Sequence, residues 1–223
     1  MGSLLLWLLA GFVFLALLQT RHVRKVRRER GGLFAEVEHL FSAAEVRQDG
    51  IGYPTLTGGY RGCPIKLEPV VDSLTFRKLP VLWLVVTHQR PLNVTVPLDI
   101  LLRPSGTEFF SANGDFQHDL PLDADWPEHI RVASPSPAGA PPVSSFKPFL
   151  PFIEDPDTKD VLVTGRGVRL VSRLAESDQA LYRVTRRADL GPVGLTEERL
   201  VPILDALVGI GDTFDGSRSG EGR

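Results

Sequence analysis

The residues best suited to chemistry lie together in a polar stretch near the middle of the chain, residues 115–129. Its ionisable side chains are those of Asp115, His118, Asp119, Asp123, Asp125, Glu128 and His129. Carboxylates and imidazoles at this density could hold a divalent cation or carry out acid–base catalysis. However, the stretch lacks the remaining ligands and the glycine of an EF-hand loop, and Pro121 and Pro127 rule out one continuous helix. We therefore predict an acidic, solvated loop, with a hydrolytic or metal-dependent site as the alternative.

Three other short patterns contain residue types that catalyse reactions elsewhere. Cys63 is the only cysteine, so no intramolecular disulfide can form, and its position at an expected strand start predicts a small buried side chain. Ser144 and Ser145 lack the G-x-S-x-G context of a nucleophile elbow. Gly165-Arg-Gly167 lacks the rest of a phosphate-binding loop. The sequence therefore assigns no catalytic residue, no cofactor-binding residue and no metal ligand.

A few further side chains have simpler structural interpretations. His88 follows an apolar run and is expected to cap its end. Trp83 and Trp126 are expected to pack in the core and in a loop. The basic pairs Arg77-Lys78 and Arg186-Arg187 could meet an acidic partner, but isolated pairs of this kind are usually only solvated.

The elements that would position these residues follow a period of two after Tyr53. Residues 53–71 predict a hairpin that turns at Arg61-Gly62, and residues 160–173 predict a second hairpin that turns near Gly165. Val81–Thr87 is the most apolar run of the soluble part, and it predicts a central strand buried on both faces. Further strands are predicted at residues 94–103, 107–111, 129–133 and 180–187. The pattern indicates a mostly antiparallel sheet.

Two helices are predicted to flank this sheet. Leu33–Val46 has apolar residues at helical spacing, with Glu36, Glu38 and Glu45 between them, which predicts an amphipathic helix packed on the domain. Leu195–Leu207 predicts a carboxyl-terminal helix whose start at Thr196 suits a helix N-terminus. Pro202 is unfavourable inside a helix, so we expect the regular part to begin near Leu200.

The long loops bound the possible domains. Residues 134–142 are too rich in proline for regular structure, and residues 146–154 predict a short, irregular helical segment. This region is either an excursion within one domain, residues 33–211, or a division into two lobes at residues 134–151. Residues 212–223 are rich in glycine and serine and predict a disordered tail.

The amino-terminal segment predicts where the protein is located. Ser3–Gln19 is an uncharged run, and as a helix it would span about 25 Å, at the short end for a bilayer core of about 30 Å. A cleaved signal peptide is the main alternative, but no basic residue precedes the run and no A-x-A-like site follows it. A buried helix of a soluble protein is disfavoured because the run has no polar face. Gly11 is a lone small residue, so no helix dimer is predicted.

A cluster of basic residues follows the apolar run directly. Its members are Arg21, Arg24, Lys25, Arg27, Arg28 and Arg30. The positive-inside rule places residue 20 onward in the cytoplasm, and basic residues near a bilayer attract anionic headgroups. The whole chain has a net charge of −2, and residues 20–30 carry six basic and one acidic side chain, so the rest sums to −7. That sign argues against a nucleic-acid partner.

The sequence thus predicts an α+β protein. A single transmembrane helix (residues 1–20) and a basic segment ending in Gly31-Gly32 (residues 21–32) precede a mostly antiparallel sheet flanked by two helices. The expected location is a membrane of the bacterial inner-membrane type, through an uncleaved signal anchor, with the domain in the cytoplasm. The expected function is that of a non-enzymatic binding or assembly factor with a protein partner at the membrane. The alternative is a tethered hydrolase or metal-dependent enzyme that uses residues 115–129.

Overall fold

A computed structural model describes residues 2–72, 79–106, 108–178, 182 and 190–215, with side chains from Leu6 onward. The chain begins with one long helix, α1, over Gly2–Gly31. The helix therefore continues through the basic segment and ends at the predicted glycine break. Among the described residues, α1 is the one helix that is long and apolar enough to cross a membrane, by length and composition alone, and none of its apolar window is buried.

The predicted amphipathic helix at Leu33–Val46 is wrong. Tight turns follow α1, a 3₁₀ turn spans Glu38–Leu40, and strand β1 occupies Ser42–Arg47. The apolar residues Leu33, Phe34, Val37 and Phe41 are nevertheless buried in the core. Successive tight turns can bury residues at the spacing expected of a helix, so the burial was predictable where the helix was not.

One nine-stranded antiparallel sheet forms the body of the domain. Its strands are β1 Ser42–Arg47, β2 Thr55–Tyr60, β3 Cys63–Asp72, β4 Val81–Gln89, β5 Leu98–Leu102, β6 His118–Asp119, β7 Ile130–Ser134, β8 Thr158–Thr164 and β9 Gly167–Glu176. Their order across the sheet is β1-β2-β3-β4-β9-β8-β5-β7-β6. Strands from both sides of the proline-rich loop therefore belong to the same sheet, and both predicted hairpins are present.

The core lies on one face of this sheet. In β4, Leu82, Leu84 and Val86 are fully buried, whereas Trp83 and Val85 on the opposite face are half-buried. The prediction of a central strand is confirmed, but full burial on both faces is not. The alternation follows from the pleat, which turns successive side chains to opposite faces.

The carboxyl-terminal helix covers the buried face. Helix α3 spans Glu197–Thr213. Its side facing the sheet is fully buried and carries Leu200, Leu204, Leu207 and Ile210. Pro202 is exposed in its second turn, so the helix begins at Glu197 and not near Leu200. The helix also runs past Gly211, where the tail was expected to begin, and residues 216–223 lie outside the described part.

The remaining segments connect these elements. Residues 143–149 form a 3₁₀ helix that leads into the short helix α2 at Leu150–Ile153, as the irregular helical pattern predicted. The strand predicted at 94–103 is present as β5, and the one at 129–133 as β7. Residues 108–111 form no strand, and the strand predicted at 180–187 lies outside the described residues apart from Tyr182.

Candidate functional site

The acidic stretch 115–129 is a surface loop whose carboxylates pair with basic side chains. Lys147 Nζ lies 2.7 Å from Asp123 and 3.3 Å from Asp125, and Arg131 lies 2.8 Å from Asp119. The His118 and Asp119 side chains are exposed in the two-residue strand β6. Within the described residues, no group of three or more His, Cys, Asp or Glu side chains could hold a metal ion.

The other short patterns have structural roles that the geometry makes visible. Cys63 opens β3 opposite Tyr60 and is partly buried. A Cβ placed on Gly167 would lie 2.0 Å from the His88 carbonyl oxygen, so the close approach of β9 to β4 requires glycine there. His88 does not cap β4 as expected, because it lies inside the strand and is fully buried.

A cluster of buried charged residues lies where β5, β8 and β9 run side by side. Asp99 on β5 and Asp160 on β8 have no exposed surface, and their registers place both on the same face as Arg169 of β9. Arg169 Nη2 is 3.9 Å from Asp160 Oδ1. We call these three residues the carboxylate cluster. The sequence did not predict it, because Asp99 is far in sequence from Asp160 and Arg169 and meets them only through the strand register.

Burial controls the ionisation of this cluster. It raises the pKa of Asp99 to about 6, against opposing hydrogen bonds, chiefly from Asn113. The pKa of Asp160 is also raised well above its usual value, by burial first and then by the negative charge of Asp99. Two carboxyl groups this close favour sharing one proton over ionising together. Among the described residues, none lies in hydrogen-bonding geometry with Asp99 Oδ2, either Asp160 oxygen or two of the Arg169 nitrogens. Because the carboxyl groups are sealed from solvent, no substrate can reach them in this arrangement.

The segment after β5 covers the carboxylate cluster and is fastened to the sheet. Asn113 Nδ2 donates to Asp99 Oδ1 at 3.0 Å, and Arg131 Nη1 donates to Asn113 Oδ1 at 2.9 Å. Glu108 forms a nearly buried ion pair with Lys159 at 2.8 Å. Although burial opposes its charged form, hydrogen bonds from Lys159 and Ser105 hold the pKa of Glu108 at about 2. The cover is therefore held by charge-assisted bonds.

An aromatic cleft of about 290 Å³ opens beside this cover. Trp83 and Phe110 form part of its wall, with ring centroids 5.4 Å apart, and the Lys159–Glu108 pair lines it. Phe109 packs edge-on against Phe110 and is 54% exposed. The indole nitrogen of Trp83 is buried without a hydrogen-bond acceptor. The cleft therefore presents aromatic and charged side chains to whatever binds there.

The base of the domain is joined to the end of α1. Arg30 Nη1 donates to the Ile51 carbonyl at 2.8 Å, and its guanidinium lies 5.1 Å from the centre of the Tyr53 ring. Gln48 Nε2 donates to the Arg27 carbonyl at 2.9 Å. These contacts fix the last turn of the helix against the loop that follows β1.

Neither a family model, nor a curated protein, nor a solved structure matches this chain. What the protein does is therefore argued from its own residues.

Proposed function

We propose that this protein is a single-pass, membrane-anchored, non-enzymatic binding factor whose domain lies on the cytoplasmic side. The observation that carries the proposal is the complete exposure of the apolar part of α1, where Trp7 is 79% and Phe12 is 73% exposed. Such a surface is unstable in water but suited to lipid, and the helix satisfies its own backbone hydrogen bonds. The sheet has a core of its own, so the helix is not needed to complete it.

The basic residues after the apolar run support the proposed orientation. Arg21, Arg24, Lys25, Arg27, Arg28 and Arg30 all lie beyond the apolar run in the same helix, and they retain the domain on the cytoplasmic side under the positive-inside rule. Anionic headgroups are the lipid partner that they would attract.

The aromatic cleft supports binding as the role of the domain. Its wall contains Trp83 and Phe110, and aromatic residues are enriched in protein contact surfaces. The proposed partner is a protein of the same membrane. Three acids of the 115–129 loop, Asp119, Asp123 and Asp125, are paired with Arg131 or Lys147, which disfavours an enzymatic site at that loop.

The anchoring is tested in the full chain by alkaline carbonate extraction and by a reporter fused after Arg223. We expect the wild type to stay in the membrane fraction, and a reporter active only in the cytoplasm to be active. Replacing Leu9 and Phe12 by arginine should release the protein, because each charge at the centre of a helix costs about 3 kcal/mol in lipid. A wild type released by carbonate, or an active alkaline phosphatase fusion, would contradict the proposal.

The binding role is tested by cross-linking in native membranes. Phe109→Ala should remove the main cross-linked protein, whereas Ile51→Ala, which removes an exposed apolar side chain at the base of the domain, should not. Bound metal in the purified protein that is lost when Asp119 and Asp123 are replaced by alanine would instead favour the enzymatic alternative.

A further inference from the structure

The basic residues of α1 are not spread evenly around the helix. At about 100° per residue, Arg21, Arg24, Lys25 and Arg28 fall within an arc of roughly 100°. We call these four residues the basic stripe. All four are exposed.

The domain occupies the opposite side of the same helix. Val23, Val26 and Arg30 are part-buried and share one face of its last turns, and the final residue, Gly31, is part-buried where the chain leaves the helix. Arg30 bonds to the domain through Ile51 and Tyr53, so it is a structural contact and is not available to lipid in the way that the stripe is. Arg27 lies between the two faces and carries the carbonyl that Gln48 binds.

Within the described part of the chain, the basic stripe is left largely without acidic partners. Lys25 forms a loose, exposed ion pair with Glu29 at 3.8 Å. Of the described residues, none forms an ion pair with Arg21, Arg24 or Arg28. Four neighbouring cations therefore face outward immediately beyond the apolar run.

The rise of the helix sets the height of these charges. At 1.5 Å per residue, Arg21 lies about 3 Å beyond Gln19 and Arg28 about 14 Å beyond it. The headgroup region of one leaflet is only about 5–8 Å thick, so an upright helix brings only the lower residues to lipid phosphate. A helix that tilts towards the stripe brings all four within reach, and tilting is ordinary for single spans.

We propose that the basic stripe is a binding surface for anionic lipid headgroups, and that α1 leans towards it. This inference rests on the proposed membrane anchoring. Because the domain is fixed to the opposite face of a continuous helix, the same tilt raises the domain away from the bilayer. Anionic lipid thereby sets the orientation of the domain as well as its attachment.

The test uses the full chain in nanodiscs of zwitterionic lipid, with or without about one third phosphatidylglycerol. A donor dye on Cys63, the only thiol, is paired with an acceptor on the headgroups. Cys63 lies at the end of the β2–β3 hairpin that is remote from α1, about 17 Å from the Thr55 end. A tilt of α1 should therefore change the distance between the Cys63 dye and the headgroups by a large amount. We expect lower energy transfer in the anionic nanodiscs.

Arg27→Gln and Arg28→Gln form a matched pair of adjacent, exposed residues on different faces. Arg28→Gln should raise the anionic-lipid fraction needed for half of the change, as each stripe charge contributes about a fivefold preference. Arg27→Gln should cause a clearly smaller shift, because Arg27 lies between the stripe and the domain, and glutamine at all four stripe positions should remove most of the lipid dependence.

Energy transfer that is independent of lipid charge, or equally sensitive to Arg27→Gln and Arg28→Gln, would overturn the stripe. If the wild type inserts into the nanodiscs but its energy transfer does not depend on lipid charge, the lipid-binding stripe is overturned and the membrane anchoring is not. Failure of the wild type to insert overturns the membrane anchoring as well.

Discussion

Asp99 and Asp160 are acidic side chains held in surroundings that disfavour their charged form. Both carboxyl groups are fully buried beside Arg169, and burial raises their pKa values, to about 6 for Asp99. Above pH 3.8 the unfolded chain releases these protons first, so stability is lost as the pH rises through the folded-state pKa. The cluster therefore costs stability at neutral pH.

Replacing Asp99 by asparagine should stabilise the protein at pH 7. The amide keeps an oxygen for the Asn113 bond, removes the repulsion, and leaves Asp160 to pair with Arg169. The gain should be at most about 3 kcal/mol at pH 7 and absent near pH 4, measured by urea unfolding at both pH values. Asp49→Asn, at an exposed position, serves as the control and should change neither value. A loss of stability at pH 7 in Asp99→Asn would contradict this account.

His88 should act in the opposite direction. It is buried against Gly211 of α3 without a partner for either ring nitrogen, and burial, with the nearby Arg90 charge, lowers its pKa. The unfolded chain then takes up a proton below about pH 6.5 while the folded one does not, so stability falls as the pH falls.

The substitution His88→Leu should remove this decline. One proton corresponds to about 1.4 kcal/mol per pH unit, and the slope of unfolding free energy between pH 6.5 and 5 should flatten by up to that amount. His118→Leu, at an exposed histidine, is the control and should keep the wild-type slope. An unchanged slope in His88→Leu would place the acid sensitivity elsewhere.

At the scale of elements, β4 separates two environments along a single strand. Leu84 is fully buried and Val85 is half-buried on the other face. Leu84→Glu should unfold the domain, because a buried unpaired charge costs several kcal/mol. Val85→Glu should cost only about 1–2 kcal/mol, since that side chain can turn to water. Circular dichroism and urea unfolding distinguish the two variants. Equal losses of stability in both would mean that both faces of β4 are closed to water.

The elements that the sequence predicted are those that carry their own local signal. The hairpins at Arg61-Gly62 and Gly165, the strand at Val81 and the last helix have clear periodicity and turn residues, and all are present. The prediction of a helix at Leu33–Val46 was wrong because β1 is specified by its pairing with β2, which local spacing cannot reveal. The carboxylate cluster was not predicted for a similar reason. Asp99 is distant in sequence from Asp160 and Arg169 and meets them only through the strand register.

The whole molecule divides into an exposed apolar helix, long enough to span a membrane, and a domain whose core does not include it. The apolar part of α1 touches none of the core. A chain of residues 20–223 should therefore be soluble and monomeric, with the urea midpoint that the full chain has in detergent. Gel filtration and urea unfolding measure both quantities. A truncated chain that unfolds at much lower urea would mean that the missing residues support the sheet.

Because one unbroken helix links the apolar run to the domain, the number of residues between them sets both the height and the rotation of the domain. Inserting a single alanine after Thr20 would rotate the domain by about 100° about the axis of α1, relative to the apolar run. Seven inserted residues would lift it by about 10 Å yet return it to within about 20° of its original bearing. A flexible linker of the same number of residues would fix neither the rotation nor the height of the domain.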